Sequence, residues 1–144
     1  METLEKKSIG PEKYKSNLND AELAYYEGLI LGKKRETQEE LDYLLQTLEE
    51  IRSADDDDSS SIDHHMGDMG SIEESMDLTN RLIERNIKFI NELNRALDRI
   101  NNGTYGICRA TGKPIEKGRL EFAPHTRYSI EAKNSGLDKK ILPL

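Results

Sequence analysis

Residues 71–102 read SIEESMDLTNRLIERNIKFINELNRALDRINN, and their spacing decides the fold. Ile72, Met76, Thr79, Ile83, Asn86, Ile90, Leu93, Leu97 and Ile100 alternate in steps of four and three, which keeps one face of a helix turned toward a partner. Ser71 followed by Glu74 is a capping box, and Asn101, Asn102 and Gly103 supply residues that tolerate left-handed backbone after the last periodic position. The spacing predicts a helix over 71–102, roughly 45 Å long at the usual rise, long enough to project from a compact domain. Asn86, inside the apolar stripe, is read as a buried amide that sets register at some cost in stability.

A partner stripe lies upstream. Leu23, Ile30, Thr37, Leu44 and Ile51 recur every seven residues, with Leu41 and Leu48 between them. Asn19 and Glu22 form a second capping box, and Leu18 is placed to close over Leu23. Gly28 and Gly32 each weaken a helix by about 1 kcal/mol relative to Ala. A bend near 32–37 is compatible with this, and 20–53 is read as one long helix. The two stripes cover each other in one chain, so the expected state is a monomer. Residues 1–18 contain the Gly10-Pro11 breaker and are expected to be a flexible lead-in.

Composition agrees with a narrow seam rather than a round core. Of 144 residues, 35% are hydrophobic and 34% charged, with no Trp and two Phe. Residues 103–144 carry eight Lys or Arg against four Asp or Glu, so the net charge of −7 leaves residues 1–102 at −11. Direct sequence-specific DNA binding by that acidic part is disfavoured, because phosphate neutralisation needs cations. A single Cys rules out an internal disulfide and fits a reducing compartment. No apolar run reaches the roughly 20 residues needed to span a bilayer, and no signal-like apolar core opens the chain, so a cytoplasmic location is expected. No nucleophile and base pairing or phosphate loop is found, so the chain is not expected to be an enzyme.

Between the stripes, 54–70 form the expected tip loop of a coiled-coil hairpin spanning 19–102. It holds four consecutive Asp at 55–58, then Asp63, His64, His65, Met66, Gly67, Asp68, Met69 and Gly70. Two Met and two Gly around Asp68 present soft apolar surface beside one charge, a composition suited to docking; a plain glycine turn is the alternative. A metal site at His64 and His65 is disfavoured, since adjacent histidines point apart and no thiolate is near. From 103 to 133 the period changes. Tyr105, Ile107, Ile115, Leu120, Phe122, Tyr128 and Ile130 are broken by Gly106, the Thr111-Gly112-Lys113-Pro114 turn and Pro124, which predicts short strands and tight turns in a small head. Residues 134–144 are a short tail.

The head sequence Asn-Gly-Thr-Tyr-Gly-Ile-Cys at 102–108, Thr-Gly-Lys-Pro-Ile at 111–115, Arg119-Leu120, Pro124 and Ser-Ile-Glu-Ala-Lys at 129–133 resembles the DksA/TraR family. That resemblance implies a mainly α fold, a long antiparallel coiled-coil hairpin with a zinc-ribbon-like head, and a bacterial regulator that enters the secondary channel of RNA polymerase. Zinc-binding members carry two Cys-x-x-Cys pairs. Here those positions are Cys108, Thr111, Ser129 and Ala132, so the head is expected to be degenerate and zinc-free, with Tyr105, Ile107, Leu120, Phe122 and Ile130 holding it. Cys108 is read as a small buried hydrophobe, with a redox sensor as the alternative.

At the tip the family presents two Asp three apart and then a small residue. His65 stands at the first position, Asp68 at the second and Gly70 at the third, which marks Asp68 as the acting acid, with Asp63 or residues 55–58 as replacements for the first. Met66, Gly67 and Met69 complete the polymerase-contacting tip. Some members also bind ppGpp through basic residues, and Arg85, Lys88, Arg119 and Lys133 fall at such positions, while Glu92 and Ala123 stand where cations are expected. Two other readings stay open: a transcript-cleavage-type channel factor, and a structural coiled coil pairing between chains.

Overall fold

The computed structural model describes residues 14–57 and 71–136. Four helices follow in order: α1 (Asp20–Asp57), α2 (Ile72–Asn102), α3 (Lys117–Phe122) and α4 (Ile130–Asn134). The chain is mainly α, and the two long helices form an antiparallel hairpin. Both expected capping boxes are present and reciprocal. Asn19 N donates to Glu22 Oε1 at 3.0 Å and Glu22 N to Asn19 Oδ1 at 2.8 Å, while Ser71 N donates to Glu74 Oε1 at 2.9 Å and Glu74 N to Ser71 Oγ at 3.0 Å. α1 runs unbroken through Gly28 and Gly32. It also continues to Asp57, past the expected end at 53. No basic residue sits in its last turn to offset the dipole, whereas Ile51 and Ala54, each 3% exposed, are buried near this end of the helix.

Two compact units divide the chain. In the unit Lys34–Asn91, Leu41, Leu44 and Leu48 pack with Ile83, and Met76, Leu82 and Ile90 close around them. Two polar residues occupy seam positions. Thr79 satisfies its hydroxyl by donating to Ser75 O at 2.8 Å. Asn86 is buried and its Nδ2 has no hydrogen-bond partner among the described residues.

The other unit joins the start of α1, the end of α2 and the head. Tyr105, Ile30, Leu93, Leu120, Pro124 and Cys108 are fully buried there, and the Tyr26 and Tyr105 rings lie 5.8 Å apart. Residues 14–18, expected to be part of the flexible lead-in, belong instead to this packing: Ser16 N donates to Gly103 O at 2.7 Å, and Leu18 is buried. Gly103 ends α2 at φ 79°, the left-handed cap expected from sequence. Gly106 has φ 87°, a conformation that calls for glycine, and a Cβ there would press on Leu18 Cδ1 at 3.2 Å.

Two expectations for the head are corrected. The short strands are not formed: among the described residues there is one isolated bridge, Ile107 to Pro114, because the segments between breakers are too short to build a ladder. Phe122 and Ile130 are not core residues, being 84% and 47% exposed. Leu120 takes the inward face of α3, which turns Phe122 two residues later to the opposite side. Ile130 opens α4 between the buried Ser129 and Ala132, and Cys108, Ile115 and Tyr128 fill the interior instead.

Candidate functional site

The turn that begins at Cys108 is built from backbone hydrogen bonds. Cys108 N donates to Lys113 O at 2.7 Å, Gly112 N to Cys108 O at 2.8 Å and Ile115 N to Gly106 O at 2.7 Å. Facing it, Ser129 caps α4, accepting from Ala132 N at 3.1 Å, and its own N–H donates to Cys108 Sγ at 3.3 Å. Thr111 Oγ1 accepts from Lys113 N at 3.2 Å. Burial would push the Cys108 thiol up, but hydrogen bonds involving Thr111 and Ser129 outweigh it and hold the thiol below its ordinary value. The fold therefore brings together the four positions read from sequence.

Their chemistry does not fit a structural zinc. The set offers one thiol, two hydroxyls and a methyl, whereas a closed tetrahedral site needs four strong donors. The hydroxyl of Ser129 is already engaged as a helix cap. Among the described residues, no three His, Cys, Asp or Glu gather as a metal site.

Of the basic residues read from sequence, Arg85 and Lys88 are exposed on the Lys34–Asn91 unit, whereas Arg119 and Lys133 belong to the head. Arg119 ties the head together, donating from Nε to Tyr128 O at 2.7 Å and from Nη2 to Thr126 Oγ1 at 3.1 Å. Sequence reasoning missed a second basic group, Arg99, Arg109 and Arg127. Arg99 Nη2 donates to His125 O at 3.0 Å and Thr126 O at 3.4 Å. Burial, then the neighbouring Arg127 charge, holds Arg99 down to about 10. Glu92, which stands where a lysine was expected, lies 3.2 Å from Arg95 Nη1 and 3.8 Å from Arg127 Nη2. The basic excess after residue 103 was the available signal. Asp63, Met66, Gly67, Asp68, Met69 and Gly70 lie outside the described residues.

A long helical hairpin with a head of zinc-finger form, lacking most of the ligands, is the class that fold and site define. Residues 103–135 match the family model described as "Prokaryotic dksA/traR C4-type zinc finger". The chain is 31% identical over 133 residues to the RNA polymerase-binding transcription factor DksA of Caulobacter vibrioides, covering 90% of this chain and 85% of that protein. It is 38% identical over 79 residues to general stress protein 16O of Bacillus subtilis, covering 51% of this chain and 45% of that one. Among solved structures it resembles transcription factor DksA2 from Pseudomonas aeruginosa, with a TM-score of 0.71, 27% identity, and coverage of 86% and 89%. The chain belongs to the DksA/TraR family.

Proposed function

We propose that this chain is a regulator of transcription that binds RNA polymerase, entering its secondary channel with the hairpin and altering initiation without covalent chemistry of its own. The observation that carries this reading is the similarity to an RNA polymerase-binding transcription factor along nine-tenths of the chain, hairpin and head together. The same reading makes it a cytoplasmic monomer, with no sequence-specific DNA contact, no membrane contact and no zinc. The family resemblance makes ppGpp the effector to test, with Arg85, Lys88, Arg119 and Lys133 the basic residues assigned to it from that resemblance. Asp68 acts at the tip: on the polymerase its charge would bear on the catalytic centre, while the head and hairpin flanks supply the affinity.

Retention of the chain by core RNA polymerase tests binding, and run-off transcription with purified components tests regulation. Asp68→Asn keeps size and removes charge, so it is expected to be retained by polymerase and to lose its effect on initiation. If Asp68→Asn regulates as well as the parent while replacement of residues 55–58 abolishes regulation, the acid is wrongly assigned. Stimulated cleavage of stalled transcripts would instead make it a cleavage-type factor.

A further inference from the structure

We propose that Arg99, Arg109 and Arg127 form a phosphate-binding site on the head, built on the segment 125–127 and sharing no residue with the basic set assigned above to ppGpp.

Three consecutive residues organise the site. Arg99 reaches them from α2, donating to the carbonyls of His125 and Thr126. Arg109 is fastened by its backbone N–H to Arg127 O at 2.8 Å, which sets the 109 and 127 positions side by side. The Arg127 guanidinium lies over the Tyr128 ring, 5.6 Å from its centroid, and its side chain is only 20% exposed. The Arg99 and Arg127 guanidinium groups are thus held by partners rather than loose in water, so little ordering of them remains when an anion arrives.

Two observations call for an anion there. First, Arg109 Nε is buried and has no hydrogen-bond partner among the described residues. Buried donors of this kind are rare, and an ion or ordered water commonly satisfies them. Secondly, the charge does not balance. Among the described residues, Arg127 pairs with Glu92, which it shares with Arg95, and Arg99 and Arg109 form no ion pair. The like charges act on each other, since both Arg127 and Arg109 lower the Arg99 value. A singly charged carboxylate ligand would leave a surplus. A phosphate dianion lowers it further and offers several acceptor oxygens, matching the forked donors of arginine.

The site belongs to the free chain and does not depend on polymerase, so it is tested with purified full-length protein. Sodium phosphate is titrated against sodium chloride at matched ionic strength, with the Arg109 Nε–Hε resonance followed by NMR. Phosphate is expected to shift that resonance saturably and chloride is not. Arg109→Gln and Arg127→Gln should each weaken the response about tenfold or more, the loss of a charge-assisted hydrogen bond, and Arg109→Lys should restore it only in part. Arg81→Gln, on the exposed face of the Lys34–Asn91 unit, should leave it unchanged. Comparison with pyrophosphate and ADP identifies the source: tighter binding of ADP points to a nucleotide, and equal binding to the free anion. Identical responses to phosphate and chloride, or a full response in the double Gln variant, would overturn the proposal; the wild-type comparison decides even where a variant fails to fold.

Discussion

The hydroxyl of Tyr105 donates a 2.7 Å hydrogen bond to the carbonyl oxygen of Pro124, and both residues are shut away from water. This bond ties the segment leaving α2 to the segment leaving α3. Burial first, moderated by the Arg99 charge, raises the Tyr105 hydroxyl well above its ordinary value.

Tyr105→Phe keeps the ring and removes the donor, leaving a buried carbonyl unsatisfied. The expected loss is about 1–3 kcal/mol in urea unfolding. The raised value also gives a signature with pH. Because the folded form holds this proton more tightly, its contribution is complete below pH 10 and is lost as pH rises through the folded value. Wild-type stability should therefore fall above pH 10 more steeply than that of Tyr105→Phe. Parallel curves would show that the hydroxyl is not held in the fold.

Purified protein is expected to carry no stoichiometric zinc and to keep its unfolding midpoint in chelator. The head is instead held by buried Tyr105, Ile107, Cys108, Ile115, Leu120 and Tyr128. Cys108→Ser should be mild, about 1 kcal/mol, since a hydroxyl can still accept from Ser129 N. Elemental analysis giving one zinc per chain, lost together with head structure, would refute this.

How much was legible follows from the range of each interaction. Asn19 with Glu22 and Ser71 with Glu74 act across three residues, so both boxes could be read directly. The seam was legible because its period repeats over many turns. Phe122 and Ile130 were misplaced because helices of six and five residues are too short for a period to assign a face. The Arg99 cluster was invisible for a different reason: its acceptors lie 26 and 27 residues away, and only the fold joins them.

Asn86 offers a test in the opposite direction. It is 6% exposed in the helical seam, and among the described residues its Nδ2 has no acceptor. Asn86→Leu should raise stability by about 1–2 kcal/mol, since an unsatisfied buried amide is replaced by an apolar group. The second expectation is a loss of uniqueness, because a seam amide penalises shifted pairings. Broadened amide resonances along α2 in a more stable variant would show both effects. A lowered urea midpoint would mean that Asn86 contributes more than it costs.

The last prediction concerns His125. Burial is the largest influence on its imidazole, and Lys33, Arg99 and Arg119 act in the same direction against Glu92, so its value falls below 6.5. The folded state thus favours the neutral ring. Its contribution to stability is present above pH 6.5 and is lost as pH falls through the folded value, where the unfolded chain takes up the proton first. Wild-type stability should begin to decline as pH falls below 6.5, above the range where ordinary carboxylates titrate. His125→Gln removes the titrating group, so its curve should be flatter over this window. His64 and His65 remain in both proteins, so the difference between the curves isolates His125. Equal slopes would mean that His125 has the same affinity for protons folded and unfolded.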